Sequence, residues 1–110
     1  MATITDKRSV NATLTSTTVD RAQLLQFWDW LEVVNHDTTT TLYTTDNGAT
    51  DPVAGAEGTV AVLPGERLIV PARALTTSIP DGSAVICHEI RVLGNGGTYS
   101  VNGLPHSLNA

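Results

Sequence analysis

The chain predicts an all-β protein: a single small β-sandwich, immunoglobulin-like or jelly-roll-like, with about seven short antiparallel strands. Three observations carry this. Turn signals punctuate the chain at intervals of roughly 8–12 residues. Threonine concentrates in two runs, Thr13 to Thr18 and Thr38 to Thr45, and β-branched side chains favour the pleated strand. No helical period extends beyond about two turns.

The elements follow in order. Ser9 to Val19 alternates, with Val10, Ala12 and Leu14 on one face and Asn11, Thr13 and Thr15 on the other, as a strand requires. Asp20 to Gln26 reads as a turn, either one helical turn capped by Asp20 or a lead-in to the next strand. That next strand is placed at Leu25 to Asn35, with Phe27, Leu31 and Val33 on one face and Trp28, Trp30 and Val34 on the other. Asn35-His36-Asp37 is a turn, and Thr38 to Thr45 a strand. Asp46-Asn47-Gly48 is a turn signal, since Asn-Gly tolerates positive φ. Asp51 to Gly58 is a loop. Thr59 to Leu63 and Glu66 to Val70 flank Pro64-Gly65, the Pro-then-Gly pair of a type II turn, and are expected to pair as a hairpin. Pro71 ends the second of them, and Ala72 to Ile79 carries no clear period. After the Pro80-Asp81-Gly82 turn, Ser83 to Leu93 is the best-patterned strand: Val85, Cys87, Glu89, Arg91 and Leu93 alternate with Ala84, Ile86, His88, Ile90 and Val92. Gly94 to Gly97 is a turn, and Thr98 to Val101 a last short strand. The expected division is a flexible N-terminal arm (1–8), the sandwich (9–103) and a C-terminal tail (104–110).

Composition narrows the function classes. The 110 residues are 41% hydrophobic and 15% charged, with a net charge of −5. One domain of this length buries a core comprising roughly 65% of its unfolded surface. Charge is well below the usual ~25%. Six scattered basic residues, Lys7, Arg8, Arg21, Arg67, Arg73 and Arg91, do not make the cationic cluster that nucleic acid or an anionic membrane requires. Cys87 stands alone, so an intramolecular disulfide is excluded; its apolar neighbours predict a buried thiol. No run approaches the ~18 apolar residues of a membrane span. The first residues lack the apolar segment of a signal peptide, so the Asn11-Ala12-Thr13 sequon is expected to stay unglycosylated.

Chemistry-bearing motifs are sparse. P-loop, dinucleotide-binding, nucleophile-elbow and zincin patterns are missing, and no catalytic residue, cofactor or metal site is assigned. Cys87 and His88 are adjacent on a strand, pointing to opposite faces, which disfavours a shared metal. Composition alone leaves a Ser/His/Asp arrangement open. The loop Asp46 to Asp51 places oxygen ligands at alternating positions, as calcium uses them, but a hairpin turn with Asp and Asn bonding their own backbone explains the same residues. Trp28 and Trp30, two apart, are expected on one strand face and are the candidate interface residues. They would serve as core, as a subunit contact, or as a stacking platform for sugar.

One resemblance spans Glu32 to Gly103. Val33-Val34-Asn35, then Leu42-Tyr43-Thr44-Thr45-Asp46-Asn47-Gly48, Asp51-Pro52-Val53, Val62-Leu63-Pro64-Gly65-Glu66, Ile90-Arg91-Val92-Leu93 and Tyr99-Ser100-Val101-Asn102-Gly103 resemble a type of small structural protein of tailed-bacteriophage virions. The segment Phe27 to Leu31 is not part of that pattern. The resemblance implies a non-enzymatic protein of the head-decoration or minor-capsid type, assembled in the host cytoplasm. Its implied partners are the major capsid protein or other virion proteins and further copies of itself, a trimer by analogy. Assembly would use buried apolar surface and main-chain pairing at strand edges, with the N-terminal arm ordering on a neighbour. Neck, tail or fibre-base positions and a carbohydrate-binding or adhesin-like module are the alternatives.

Overall fold

The computed structural model describes residues 2–5, 8–14, 18–78, 81–94 and 96–105, with backbone alone at 2–5 and 77–78. These residues form ten strands and no helix: β1 (Ala2–Thr5), β2 (Ser9–Thr13), β3 (Asp20–Leu24), β4 (Trp30–Asn35), β5 (Leu42–Thr45), β6 (Val60–Val62), β7 (Arg67–Pro71), β8 (Leu75–Ser78), β9 (Ala84–Leu93) and β10 (Thr98–Leu104). They make two sheets. The first runs β1-β3-β9-β5-β6, with β8 paired to the first half of β9; the second runs β2-β10-β4-β7. All pairs are antiparallel except β1 with β3. The expected sandwich is present. Its strand count exceeds seven because segment 1–8, expected as an arm, contributes β1, the segment expected as a turn contributes β3, and the unpatterned stretch after Pro71 contributes β8.

The core follows the alternation. Leu31 and Val33 of β4, and Tyr99 and Val101 of β10, meet Ala22 and Leu24 of β3 and Ile90 and Val92 of β9. Fully burying a Val, Leu or Ile side chain contributes about 1.5–3 kcal/mol. The Tyr99 hydroxyl crosses the core and donates to Asp20 Oδ2 at 3.2 Å. Burial, then the charge of Asp20, pushes the Tyr99 phenol far above its ordinary value.

Several strand expectations change, beginning with the first, which ends at Thr13 rather than Val19. Asp20–Leu24 is a strand, not a turn, and the next strand starts at Trp30 rather than Leu25. β3 and β4 lie in different sheets, so 25–29 carry the chain across; Asp29 donates its amide to the Leu104 carbonyl and accepts from Ala72. The threonine run gives strand only from Leu42, because the Asp37 carboxylate accepts the amides of Thr39 and Thr40 and holds them in a turn. Local side-chain bonding overrides β propensity there. The last strand continues through Leu104, past the expected Val101.

The expected hairpin around Pro64-Gly65 is not formed. The type II turn exists: Glu66 donates to the Leu63 carbonyl at 3.0 Å, and Gly65 has φ +75°. Yet β6 pairs with β5 and β7 with β4, in different sheets. A type II turn has the wrong twist for a two-residue hairpin and splays its flanking strands. Asn35 secures the crossover. It is fully buried, and its Nδ2 donates to the carbonyls of Thr40 (2.7 Å) and Val62 (2.9 Å). Its Oδ1 accepts from the Asp37 amide, while its backbone bonds Gly65 and Glu66.

Replacing Asn35 by Ala removes these side-chain bonds and strands two carbonyls. At about 1–3 kcal/mol per buried unsatisfied group, Asn35→Ala should destabilise the domain by about 3 kcal/mol. The measurement is urea unfolding, with a lower midpoint at unchanged slope; a midpoint equal to that of the parent chain contradicts the clamp.

Candidate interaction surface

The two tryptophans end on opposite sides of the second sheet. In β4, Leu31, Val33 and Asn35 are buried, so Trp30, Glu32 and Val34 project outward. Trp28 precedes the strand and packs inward. A Cβ placed on Gly103 would lie 2.3 Å from its ring, so the indole rests on that glycine backbone. Arg8 closes the other side, with its guanidinium 5.8 Å from the ring centroid and its Nε donating to the Gly103 carbonyl at 2.9 Å. The expected shared strand face is therefore not formed. The period of two does not apply, because Trp28 sits in the crossover. Both are half-buried, but Trp28 packs against the core and Trp30 lies on the outer face of the sheet.

Register places Trp30 in an apolar group. It lies opposite Leu104 on β10 and Pro71 on β7, and Ile69 lies opposite Glu32. Ile69 is an exposed large apolar side chain. Glu32 accepts from Arg67 at 2.9 Å and from Asn102 at 3.0 Å, so the charge on this face is paired. The rest of the face is neutral: Ser9, Asn11 and Thr13 on β2, and Thr98 and Ser100 on β10. At its far end Ser100 donates to Asn11 Oδ1 and bonds His36 Nε2. With its hydroxyl proton directed to Asn11, Ser100 accepts from His36. It is also buried, so the pair lacks the geometry of an exposed nucleophile passing its proton to a base.

The outer face of the first sheet holds a buried carboxylate. Glu89 accepts from Arg21 Nη2 (2.8 Å), Gln23 Nε2 (2.6 Å) and Arg91 Nε (2.8 Å). Burial alone would raise its carboxyl, but the bonds from Arg21, Arg91 and Gln23 outweigh that and hold it below its ordinary value. Arg91 reaches on into the loop after β5. Its Nη1 bonds Asp51 Oδ1 (2.8 Å), and its Nη2 bonds the Gly48 carbonyl (2.9 Å). Asn47 Oδ1 meanwhile accepts the amides of Ala49 and Thr50. The oxygens considered for calcium thus take a guanidinium and their own backbone. Among the described residues, no group of three or more His, Cys, Asp or Glu side chains is placed to hold a metal.

His88 and Cys87 do point to opposite faces. His88 Nε2 accepts the Trp28 amide (2.9 Å), which makes Nδ1 the donor to the Arg73 carbonyl (2.7 Å). Phe27 covers its edge at 5.9 Å. Cys87 is buried, and burial, then the charge of Glu89, pushes its thiol up. His106 lies outside the described residues. The sequence points to no role for Glu89 or Arg8, and to Asn35 only as a turn residue. The only available signal was Glu89 and Arg91 alternating on one face of β9.

Two outcomes follow. A carboxylate held below its unfolded value stabilises the fold fully above that value, 4.5 for Glu89, and progressively less as pH falls through the folded value. Glu89→Gln should therefore flatten the acid limb of stability against pH. A limb with the parent's slope below pH 4.5 refutes that role. Because Arg91 fills the loop, calcium and chelator should leave the thermal midpoint unchanged; a rise with calcium would show that the ion displaces it.

Compared with known proteins, the chain matches no family model, no curated protein and no solved structure.

Proposed function

We propose that this chain is a non-enzymatic structural protein of a tailed-phage virion, decorating or stabilising the capsid shell, and that the outer face of the second sheet is its contact surface. The observation that carries the contact surface is the apolar group of Trp30, Val34, Ile69, Pro71 and Leu104 across three neighbouring strands. Its one carboxylate is already paired with Arg67. Tryptophan is enriched among the residues that dominate interface energetics. The virion context rests on the turn and strand motifs between Glu32 and Gly103 described above. The partners are the major capsid protein and further copies of the chain.

A second reading has its own observation. Trp30 stands beside Glu32 and Asn102, an aromatic ring next to hydrogen-bonding groups, as sugar-stacking sites use. A carbohydrate-binding module would need that ring free in the mature protein.

Quantitative mass spectrometry of purified particles tests the proposal. Copy number comparable with the major capsid protein supports shell decoration, and about a dozen or fewer copies supports a neck, tail or fibre-base position. Absence from the particle overturns the virion reading. In particles, Trp30→Ala should weaken attachment about 30-fold, the equivalent of about 2 kcal/mol for a central interface tryptophan. Unchanged occupancy removes this face from the contact. Iodide quenching of Trp30 relieved by a sugar panel would favour the binding module.

A further inference from the structure

The sequence contains three Asn-Gly dipeptides: Asn47-Gly48, Asn95-Gly96 and Asn102-Gly103. Asn-Gly is the dipeptide in which backbone nitrogen most readily attacks the preceding side-chain amide, because glycine puts no Cβ in the way. Asparagine is accordingly a thermolabile residue. Asn95 lies outside the described residues. The other two occupy opposite environments.

Asn102 sits within β10, between β2 and β4. Its Nδ2 donates to Glu32, and the Gly103 amide donates to the Arg8 carbonyl at 2.8 Å. Gly103 is buried beneath Trp28. Attack by that nitrogen requires breaking its bond and pulling a central strand from both neighbours, an opening that approaches global unfolding.

Asn47 is exposed in the loop after β5, and Gly48 adopts φ +69°. The amides of Ala49 and Thr50 both donate to Asn47 Oδ1 at 2.9 Å. Two backbone donors on one carbonyl oxygen polarise its carbon. Donors so placed are of the kind that stabilise a developing oxyanion, and the Nδ2 that must leave donates only to the exposed Thr50 hydroxyl at 3.2 Å.

We propose that Asn47 is a self-modification site, converting through a succinimide to aspartate and isoaspartate, and that this conversion loosens the loop's hold on Arg91. The Gly48 nitrogen forms a bond to Asn47 Cγ, the Cγ–Nδ2 bond breaks, and Nδ2 leaves as ammonia with the proton that the Gly48 nitrogen gives up. Water then opens the ring at either carbonyl. Net, one water enters and one ammonia leaves, with no redox change. Opening at the backbone carbonyl gives isoaspartate, which adds a methylene to the main chain just before Gly48. The carbonyls of Gly48 and Ala49, both bonded to Arg91, then shift. The conversion also adds a negative charge between Asp46 and Asp51.

The protein is incubated folded at mildly alkaline pH and 37 °C, and in parallel in concentrated urea. Peptide mass spectrometry then counts isoaspartate at Asn47 and Asn102. The expected result is conversion at Asn47 at least about ten-fold faster than at Asn102 when folded, near-equal rates in urea, and a lower thermal midpoint of the converted protein. Asn47→Ser should abolish that drift in midpoint. Folded Asn47 remaining intact, or reacting no faster than Asn102, overturns the site. Conversion without a change in midpoint overturns its link to Arg91.

Discussion

A buried amide, in addition to the Tyr99–Asp20 bond, ties the two sheets at one end. Asn35 ends β4 in one sheet, and its side chain reaches the Val62 carbonyl at the end of β6 in the other. The same side chain fixes the turn to Thr40, and its main chain fixes the Pro64-Gly65 turn. Two amide protons and both carbonyls are used, so burial leaves nothing unpaired. A leucine would fill the volume but abandon the carbonyls of Thr40 and Val62, and a buried carbonyl without a donor is costly. The constraint explains why a turn that splays its strands is usable here. Asn35 holds the ends that the turn alone would leave apart.

A second constraint comes from the later part of β9, from Cys87 onward, which is covered on both faces. Its inner face supplies Ile90 and Val92 to the core. Its outer face cannot be apolar, because the loop after β5 lies over it with its carbonyls directed inward. Arg91 meets those carbonyls and Asp51, and Glu89 meets Arg91, Arg21 and Gln23. Glu89 and Arg91 each have several partners, whereas Arg21 and Asp51 hold the cluster from its ends. Such a cluster adds little over a well-packed apolar alternative, yet losing one member is expensive because another charge is left buried. Its role is to specify: it fixes where the loop sits and the register of β3, β9 and β5.

How much of this was legible in the sequence depends on the range of the deciding interaction. β9 was readable because its alternation is local and its ends are marked by Asp81-Gly82 and Gly94. The type II turn at Pro64-Gly65 was readable for the same reason, as it depends on two residues. What those flanking strands pair with was not, because the decision is made by Asn35, some thirty positions away. Trp28 and Trp30 show the same limit. The period of two places both on one face only if both lie in one strand, and Trp28 lies in the crossover before β4 begins. Gly103 reads only as the end of the Tyr99 to Gly103 motif, whereas its lack of a side chain leaves room for the Trp28 indole. Glu89 and Arg91 were seen as neighbours on a face but not as a cluster, since Arg21, Gln23 and Asp51 come from elsewhere.

The surface that remains argues for faces over edges. The second sheet ends at β7, which carries Arg67 at one end and Pro71 at the other, and the first ends at β6, only three residues long. Short, charged or proline-bearing edge strands resist pairing with another chain. That weakens main-chain pairing at these two edges as a route to assembly. The outer face of the second sheet is built differently. It gathers Trp30, Ile69 and Leu104 and holds its charges in one internal pair. On a chain of net charge −5, copies repel one another across most orientations. A neutral, partly apolar sheet face is where that repulsion is least, which is the reason the proposed contact is assigned to it.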